Sequence, residues 1–257
     1  YKVNTLLDYK KFKILVKNMI QILHKKELEN LLDKDELEMF SRLQELIQKL
    51  NKISNLTRLI DGNDYWVSQV YDSIWPFFKD SNKLFENKKF IDIGSGCGFP
   101  GLAYAITHPN SEIYLVDSSL KKTNALKQIV ESMNFKNKIH IVNDRIEKIG
   151  HNLELRHKFD IGTARAVSSA PTVSEYLLPL LKSDGLGLIF CGKWREADHN
   201  KLKKAVAILN GKINKIIFKE LPANKGERNV IFIKSKGDCP ISYPRGIGKP
   251  SKYPLGN

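Results

Sequence analysis

The sequence predicts an α/β protein with a doubly wound, mostly parallel sheet. Three observations predict this fold class. Short apolar runs alternate with helical patterns after residue 89, one run ends in a glycine-rich loop, and two later runs are joined by a short loop. Strands that are separated by helices of about ten or more residues are usually parallel, whereas a short connection favours an antiparallel hairpin. We therefore expect a parallel sheet with one antiparallel edge.

The first 60 residues of the 257-residue chain are helical in pattern. Apolar side chains recur every three or four positions over residues 12–23 and again over residues 37–50, which predicts two amphipathic helices. Asp33 and Glu36 have the spacing of a capping box at the start of the second helix. A third helix is predicted over residues 65–78.

From residue 89 onward, predicted strands and helices alternate. The predicted strands of the parallel part cover residues 90–93, 112–117, 139–143, 159–163 and 186–191. One predicted helix follows the strand over residues 112–117 and runs to about residue 133. Two more are predicted over residues 172–181 and 196–209. Because helices join successive strands, we expect them to cover both faces of the sheet.

The C-terminal part departs from this alternation. Two short strands, over residues 213–218 and 230–233, are joined by a loop with Pro222 and Gly226, which predicts an antiparallel hairpin at the sheet edge. The residues that follow are rich in proline and glycine, so we expect an irregular, partly mobile tail. The predicted division is a helical N-terminal extension, a main domain and a basic tail, over residues 1–60, 61–236 and 237–257.

Composition and motif content argue against several classes of protein. No apolar run approaches the roughly 18 residues that a membrane-spanning helix needs. Three widely separated cysteines argue against a disulfide framework and suit a reducing compartment, so we expect a cytoplasmic protein. There is no Cys-x-x-Cys or His-Glu-x-x-His motif, so we expect no metal site. A monomer is the default expectation.

The net charge of +14 is unevenly distributed along the chain. Residues 61–192 contain 15 basic and 15 acidic side chains and are neutral overall. Residues 193–257 contain 15 basic and 5 acidic side chains, which gives a net charge of +10. A neutral module beside a basic segment is typical of a protein that faces a polyanion, although lysines that only increase solubility give the same pattern.

A glycine-rich loop follows the strand predicted over residues 90–93. Its sequence is Asp92-Ile93-Gly94-Ser95-Gly96-Cys97-Gly98-Phe99-Pro100-Gly101. Glycines at this place let the backbone approach a ligand, and the following helix offers free N–H groups. The loop contains a dinucleotide pattern from Gly96 to Gly101, but its turn already begins at Gly94. This register, with Asp92 at the strand end, is typical of S-adenosylmethionine-dependent methyltransferases of the Rossmann-like class.

Asp117 lies 23 positions after Gly94, at the end of the second predicted strand. A carboxylate there can accept hydrogen bonds from both ribose hydroxyls of a cofactor. Nicotinamide and S-adenosylmethionine sites share this feature, so Asp117 supports the fold without selecting the cofactor. A nicotinamide-dependent dehydrogenase is therefore a second hypothesis, and a non-catalytic RNA-binding module with this fold is a third.

Further short motifs occur in a characteristic order. They are Asn55-Leu56-Thr57, Asp72-Ser73, the glycine loop, Asp117-Ser118, Arg145-Ile146-Glu147, Arg165-Ala166, Gly192-Lys193, Glu227-Arg228, Cys239-Pro240, Tyr243-Pro244-Arg245 and Pro254-Leu255. With this set the chain resembles the GidB-type family, whose members methylate N7 of a guanine in small-subunit ribosomal RNA. The resemblance covers about residue 35 to the end. Ala164 and Trp194 depart from the family pattern, which commonly has a serine and a small residue there.

The resemblance implies a Rossmann-like class I methyltransferase with S-adenosylmethionine as its cofactor. Gly94 and Phe99 would lie on the methionine and ribose side of the cofactor, and Arg165 would lie beside the reacting centre as a positioning residue. Residues 117–119 would hold the ribose, and the start of the helix after Arg145 would hold the adenine. The full set of implied cofactor-binding residues is Gly94, Gly96, Phe99, Asp117, Ser118, Ser119, Ile146, Glu147 and Arg165.

The implied substrate is the guanine conventionally numbered 527 in bacterial 16S ribosomal RNA, within the small ribosomal subunit. Guanine N7 presents an in-plane lone pair, so direct in-line transfer needs placement rather than a general base. We therefore expect no catalytic His or Cys, and we expect Cys97 and Cys191 to be structural. The candidate RNA contacts are Lys193, Arg228 and Arg245.

Overall fold

The structure is a computed structural model of the protein and describes residues 28–78 and 84–257. The helix predicted over residues 12–23 lies outside the described residues. The second predicted helix is α1 (Lys34–Ser54). Its predicted capping box is confirmed: the Asp33 carboxylate accepts from the Glu36 N–H at 2.8 Å, and the Glu36 carboxylate accepts from the Asp33 N–H at 2.9 Å.

Most of the other helical segments are short, with α5 (Leu120–Ser132) and α8 (Glu196–Ile208) the longest at 13 residues each. The other segments in full are α2 (Gly62–Tyr65), a π-helical segment (Trp66–Tyr71), α3 (Asp72–Ile74), α4 (Gly101–Thr107), α5 (Leu120–Ser132), α6 (Ile146–Ile149), α7 (Ala170–Leu177), α8 (Glu196–Ile208) and α9 (Lys249–Lys252). The third predicted helix is therefore interrupted by π-helical turns. It also ends at Ile74 rather than at residue 78, because Pro76 lacks the N–H that a further turn needs. In the part of the chain described, no helix is both long and apolar enough to cross a membrane.

Seven strands form one sheet within the described residues. They are β1 (Lys89–Ile93), β2 (Glu112–Asp117), β3 (Ile139–Asn143), β4 (Phe159–Arg165), β5 (Leu181–Cys191), β6 (Gly211–Glu220) and β7 (Glu227–Ser235). Their order is β3-β2-β1-β4-β5-β7-β6. The first five strands in this order are parallel, and β7 pairs antiparallel with β5 and β6. This arrangement confirms the predicted α/β class with an antiparallel edge.

The predicted boundary between α7 and β5 is wrong. The apolar pattern predicts a helix to residue 181, but α7 ends at Leu177 and β5 begins at Leu181. Pro179 lies between them and cannot donate the hydrogen bond that a longer helix requires. The pairing of β5 with β4 then contains an irregularity at polar residues, which hides the start of the strand from its hydrophobic pattern.

The core is divided between the two faces of the sheet. Successive side chains of a strand point to opposite faces. Phe90 of β1 belongs to the core that includes Phe40 of α1 and Tyr104 of α4. Its neighbours Ile91 and Ile93 belong to the core on the other face, which α7 and α8 cover. Helices on both faces are the feature that makes this sheet doubly wound, and α1 is part of the first core.

The C-terminal tail is irregular, as predicted, but it packs closely on the domain. Cys239 is buried, and so is Pro250 in the short helix α9. The Thr172 hydroxyl of α7 donates to the Pro250 carbonyl at 3.0 Å. These contacts place the tail beside α7, at the edge of the sheet where the strands β1, β2 and β4 end. The three-part division of the chain stays a prediction.

Candidate active site

Two adjoining cavities open where β1, β2 and β4 end. The first has a volume of about 560 Å³ and is bordered by the ends of β1 and β2, the start of α6 and the tail. The second has a volume of about 550 Å³ and is bordered by the glycine loop, the π-helical segment and the ends of β4 and β5. Gly94, Lys122 and Ala166 border both cavities. Ligands of open parallel sheets bind at this edge, so we take it as the candidate active site.

The glycine loop forms a backbone cradle at the junction of the cavities. Gly94, Gly96 and Gly98 have φ angles of +70°, +59° and +105°, which side chains rarely tolerate. The N–H of Gly94 donates to the Val116 carbonyl at 2.8 Å, which ties the loop to the neighbouring strand. A Cβ atom on Gly94 would lie 2.5 Å from Cγ2 of Val167. The loop therefore requires glycine at this position for both its conformation and its space.

Asp92 anchors the loop from below the cavities. Its side chain is fully buried, accepts from the Thr163 hydroxyl at 2.7 Å and accepts from the Gly101 N–H at 3.1 Å. Burial raises the pKa of this carboxyl to about 6, and the two hydrogen bonds oppose the rise. Asp92 thus joins the end of β1 to the start of α4 and to β4, and its role is to fix the loop.

Asp117 links the glycine loop to the start of α5. One carboxylate oxygen accepts from the Gly96 N–H at 3.0 Å, and the other accepts from the Ser119 N–H at 2.8 Å. The Lys122 ammonium lies 4.0 Å from the same carboxylate. Asp117 and Ser118 both border the first cavity. Because a carboxylate oxygen can accept more than one hydrogen bond, Asp117 retains capacity for ligand hydroxyls.

Ile146 and Glu147 begin α6 and border the first cavity. The Glu147 side chain is buried, and its Oε1 accepts from the Tyr176 hydroxyl at 3.2 Å and from the Gly248 N–H at 3.0 Å. This carboxylate is therefore engaged by α7 and by the tail. The surfaces that these two residues offer to a ligand are the apolar side chain of Ile146 and the backbone at the start of α6.

Arg165 borders the second cavity and is held rigidly by the segment before β1. Its Nη1 donates to the Ser68 carbonyl at 3.1 Å, to Asp72 at 3.1 Å and to the Ser73 hydroxyl at 3.2 Å. Its Nη2 donates to the Gln69 side chain. The π-helical segment and the first residues of α3 thus supply all four bonds, which fixes the guanidinium beside the glycine loop.

Asp72 is the buried anion that organises this cavity. Its side chain is 1% exposed and forms ion pairs with Arg165 at 3.1 Å and with Arg228 at 2.7 Å. Arg228 comes from β7, so the pair joins the antiparallel edge of the sheet to the helical segment before β1. A carboxylate between two guanidinium groups keeps a net positive charge in the cavity, which suits an anionic or electron-rich ligand.

The remaining predicted cofactor-binding residues are Gly96, Phe99 and Ser119, and none of them borders the first cavity. Gly96 and Phe99 border the second cavity, and the Phe99 ring centroid lies 6.0 Å from Cζ of Arg165. Ser119 contributes the N–H bonded to Asp117. Phe99 therefore lies on the side of Arg165, and its contact with the cofactor stays a prediction.

The candidate RNA contacts differ in how free their charges are. Lys193 is exposed and borders a third cavity of about 440 Å³, which shares Ser168, Phe190 and Cys191 with the second. Arg245 instead donates to the buried Glu175 carboxylate, with its Nη2 at 2.7 Å. A guanidinium bonded in this way has a structural role, so an RNA contact by Arg245 stays a prediction that the geometry does not favour.

The cysteines near the site are held as thiols. Burial raises the pKa of Cys97, which accepts a weak hydrogen bond from Gln69 at 3.5 Å. Burial also raises the pKa of Cys191 to about 12. A thiol with a raised pKa is a poor nucleophile at neutral pH. Among residues 28–78 and 84–257, no three His, Cys, Asp or Glu side chains are grouped as metal ligands would be.

Sequence reasoning did not place the C-terminal tail at the site. Ile247, Gly248 and Ser251 border the first cavity together with Tyr176 of α7. The signal for this placement was the closing motif around Arg245, whose residues belong to the family pattern rather than to the general fold. Sequence reasoning also missed the role of Gln69, because a polar residue in an apolar helical segment gives no indication of its partner.

The fold and the site together define a Rossmann-like class I methyltransferase. The glycine loop follows the first strand in the predicted register, an acidic residue ends the second strand, and a second cavity adjoins the first. A family model described as GidB, rRNA small subunit methyltransferase G, matches residues 36–230. The chain belongs to this family, and it is an S-adenosylmethionine-dependent rRNA methyltransferase, as the sequence predicts. The family selects the methyltransferase hypothesis over the dehydrogenase.

Close relatives support this assignment over most of the chain. A ribosomal RNA small subunit methyltransferase G of Prochlorococcus marinus subsp. pastoris is 61% identical over 229 residues, which cover 89% of this chain and 96% of that protein. The protein of the same name from Prochlorococcus marinus strain MIT 9515 is 60% identical over 230 residues, or 90% of this chain and 96% of that protein. A solved 16S rRNA (adenine(1408)-N(1))-methyltransferase from Catenulisporales acidiphilia superposes with a TM-score of 0.49 at 14% identity, covering 62% of this chain and 92% of that chain. A superposition this distant says nothing about the site.

The first cavity fits S-adenosylmethionine. Gly94 borders this cavity without a side chain, so its backbone is accessible to a ligand. Asp117 offers a carboxylate for ribose hydroxyls, and Ile146 and Val116 offer apolar surface for a base. The volume of about 560 Å³ lies within the usual range for small-molecule sites.

Proposed function

We propose that the chain methylates N7 of the guanine at position 527 of 16S ribosomal RNA, by direct in-line transfer without a general base. The observation that carries this proposal is the junction at Gly94, Lys122 and Ala166, which joins a cavity that fits the cofactor to a cavity lined by arginines. The proposed partner is 16S ribosomal RNA or the small ribosomal subunit that contains it.

In this proposal the first cavity holds the cofactor. Gly94, Ser118 and Ile146 bind it through backbone and apolar contacts, and Asp117 binds its ribose. When bound, S-adenosylmethionine supplies an electrophilic methyl group on a sulfonium centre. The chain holds this group at the junction by keeping the glycine loop fixed, with Asp92 and Asp117 bonded to its backbone.

The second cavity receives the guanine. N7 carries its lone pair in the ring plane, so no side chain has to remove a proton before transfer. A transfer without a general base is consistent with the groups around this cavity. The Asp72 carboxylate is bound in two ion pairs, and burial raises the pKa values of the thiols of Cys97 and Cys191. Placement of the base is then the main catalytic demand.

Arg165 acts as the positioning residue. Its four hydrogen bonds to described residues use Nη1 three times and Nη2 once, so its Nε–H and the second N–H of Nη2 remain for a ligand within the described part of the chain. An arginine that donated to N7 would compete with the methyl group for the lone pair. Arg165 therefore binds guanine O6, a phosphate or the cofactor carboxylate. The ring of Phe99, whose centroid lies 6.0 Å from Cζ of Arg165, borders the same cavity.

The RNA strand approaches from the basic C-terminal part. The third cavity adjoins the second and is bordered by Lys193, Trp194 and Lys201. Lysine side chains at the border supply phosphate contacts, and the net charge of +10 over residues 193–257 attracts the polyanion. Arg228 contributes its charge to the cavity while it remains paired with Asp72.

Methyl transfer to small ribosomal subunits tests the proposal. Subunits from bacteria that lack the modification are incubated with the full chain and radiolabelled S-adenosylmethionine, and the RNA is cleaved chemically at N7-methylguanine. We expect a single methyl group at guanine 527. Methylation at another nucleotide or another atom would contradict the proposal. Gly94→Asp should abolish transfer, whereas Gly246→Ala should retain it, because a Cβ there meets nothing within 4 Å.

A further inference from the structure

We propose that the C-terminal tail forms one wall of the cofactor cavity and that Ile247 is a residue that sets the affinity for S-adenosylmethionine. This inference rests on the proposed function of the first cavity. The sequence pattern assigned the tail a basic, RNA-facing role through Arg245. In the structure, the tail residues Ile247, Gly248 and Ser251 border the first cavity, whereas Pro254 and Asn257 border the third.

The tail is tied to the adenine end of the cavity by a buried carboxylate. Glu147 is 6% exposed, and its Oε1 accepts from the Gly248 N–H at 3.0 Å. The same oxygen accepts from the Tyr176 hydroxyl, which also bonds the Ser251 hydroxyl at 3.2 Å. Glu147 lies in α6. The start of this helix borders the first cavity, and the family resemblance implies that it holds the adenine. The tail and that end of the cavity therefore form one hydrogen-bonded unit.

A second buried carboxylate fixes the tail just before Ile247. Glu175 of α7 is 0% exposed and accepts from the backbone N–H of Arg245 at 2.8 Å and from its guanidinium at 2.7 to 3.2 Å. Without Arg245 this carboxylate would be buried and unpaired, which is strongly unfavourable. The position of residues 245–248 is therefore determined by the domain, and Ile247 is held at the cavity border.

Arg156 completes the attachment by satisfying the irregular backbone of the tail. Its guanidinium donates to the carbonyls of Cys239, Pro240 and Tyr243 at 2.7 to 3.0 Å. His151 in the same segment bonds the Pro244 carbonyl at 2.7 Å. These carbonyls have no strand or helix to bond, so Arg156 and His151 take that place. The attachment begins eight residues before Ile247 and continues past it.

The chemistry of the wall suits the base of the cofactor. Ile247 is 55% exposed in the structure, so most of its apolar surface is free to contact a ligand. Ile146 and Val116 border the same cavity, so Ile247 adds to an existing apolar lining. Apolar surface around a planar base stabilises its binding in proportion to the area removed from water. No polar atom of the Ile247 side chain has to be desolvated.

Calorimetric titration of the full chain with S-adenosylmethionine, without RNA, tests the inference. We expect Ile247→Ala to raise the Kd about tenfold. The matched control is Ile241→Ala, since Ile241 lies in the same tail, is 70% exposed and does not border the cavity. Its Kd should stay within about twofold of the original. An unchanged Kd for Ile247→Ala, or equal changes in both variants, would overturn the inference.

Hydrogen exchange gives a second readout on the unaltered protein. We expect S-adenosylmethionine to slow the exchange of the backbone amides over residues 245–252, because the ligand closes against the wall that they form. Unchanged exchange there at saturating ligand would count against the wall. If the unaltered chain fails to bind S-adenosylmethionine at all, the proposed function itself fails. If it binds but Ile247 and the tail amides do not respond, only this inference fails.

Discussion

The two cavities that meet at Gly94 are built by different means. The first is bordered by Gly94 and Gly248, which both have positive φ, and by Asp117, whose carboxylate accepts from the backbone N–H groups of Gly96 and Ser119. The second is shaped by long side chains from distant segments, in which Asp72 binds both Arg165 and Arg228. The first cavity is therefore formed by a fixed backbone surface, and the second is held together by ion pairs.

This difference determines how each site can be damaged. An added Cβ at Gly94 would have to adopt a φ of +70° and would lie 2.5 Å from Cγ2 of Val167, so backbone conformation and space are the sensitive properties. A buried ion-pair network tolerates changes in volume better than the loss of one charge, because the remaining charges stay buried and unpaired. Cofactor affinity and the integrity of the substrate cavity should consequently be separable by mutation.

Asp72→Asn should give the largest effect. Two guanidinium groups would lose their common carboxylate, which is 1% exposed, and the free energy of unfolding should fall by about 3 kcal/mol. Methyl transfer should fall with it, because Arg165 would lose its orientation. Affinity for S-adenosylmethionine should stay within about twofold at temperatures where the variant is folded. Urea denaturation and calorimetry measure the two quantities.

Asp64→Asn is the matched control for Asp72→Asn. Asp64 lies in the same helical region and pairs with Lys225 at 2.6 Å, but the two side chains are 47% and 30% exposed. Solvent screens such a pair, so we expect a loss below about 1 kcal/mol. If the free energy of unfolding falls equally in both variants, the buried ion pairs of Asp72 contribute no more than an exposed pair. The proposed difference between the two cavities would then be wrong.

Gly94→Asp should give the largest loss of cofactor affinity. The new Cβ would lie 2.5 Å from Val167 at a φ of +70°, and the added carboxylate would enter the junction of the cavities. We expect the Kd for S-adenosylmethionine to rise by about 100-fold. Gly246→Ala is the control, because nothing lies within 4 Å of its Cβ position. Retained binding in Gly94→Asp would mean that the loop does not form the cofactor site.

The backbone cradle could be predicted from the sequence because its determinants are local. The loop from Asp92 to Gly101 is contiguous, and Asp117 ends the adjacent strand. The mostly parallel sheet could also be predicted, because the alternation of strands and helices is a local pattern. Boundaries failed where polar or proline residues obscured the pattern, as at Pro179 before β5. Local pattern therefore predicted the glycine loop and Asp117, but not the tail residues that also border the first cavity.

The charge network could not be predicted in the same way because its partners are distant. Arg228 and Asp72 are 156 positions apart, and Arg245 and Glu175 are 70 apart. The sequence shows these residue types but not which of them pair, so both arginines were assigned to RNA. Nothing in an apolar helical pattern indicates that Gln69 faces Arg165. Which charged side chains pair depends on how the folded sheet brings distant segments together, so these pairs are visible in the structure and not in the sequence.

Asp92 should give the backbone cradle a pH dependence. Burial raises the pKa of its carboxyl from 3.8 to about 6, so the folded state binds the proton more tightly than the unfolded state. Its contribution to stability is therefore present below about pH 4 and is lost as the pH rises towards 6 and above. In Asp92→Asn the amide can still accept from Gly101 and donate to Thr163, without a charge.

Denaturation at several pH values measures this contribution. Between pH 4.5 and 7, the free energy of unfolding of Asp92→Asn relative to the original chain should rise by about 2 kcal/mol. The comparison with the variant cancels the contributions of other titrating groups. If the difference between the two proteins is constant over this range, Asp92 does not change its protonation there, and a fixed negative charge anchors the loop.

The smallest effects should come from the exposed lysines beside the substrate cavity. Lys193 and Lys201 border the third cavity, so replacing both by Ala should remove up to two phosphate contacts. We expect RNA affinity to fall about fivefold at 0.1 M salt, with a shallower salt dependence and an unchanged Kd for S-adenosylmethionine. Filter binding across a salt series measures both properties.

Lys203→Ala combined with Lys204→Ala is the matched control for this pair. Both residues are exposed on α8 and border none of the three cavities, yet their removal changes the net charge by the same amount. Because the two double variants have equal charge, any difference in RNA affinity must come from the positions of the lysines. Equal losses would instead mean that the general field of the basic segment attracts the RNA, and that the third cavity does not guide it.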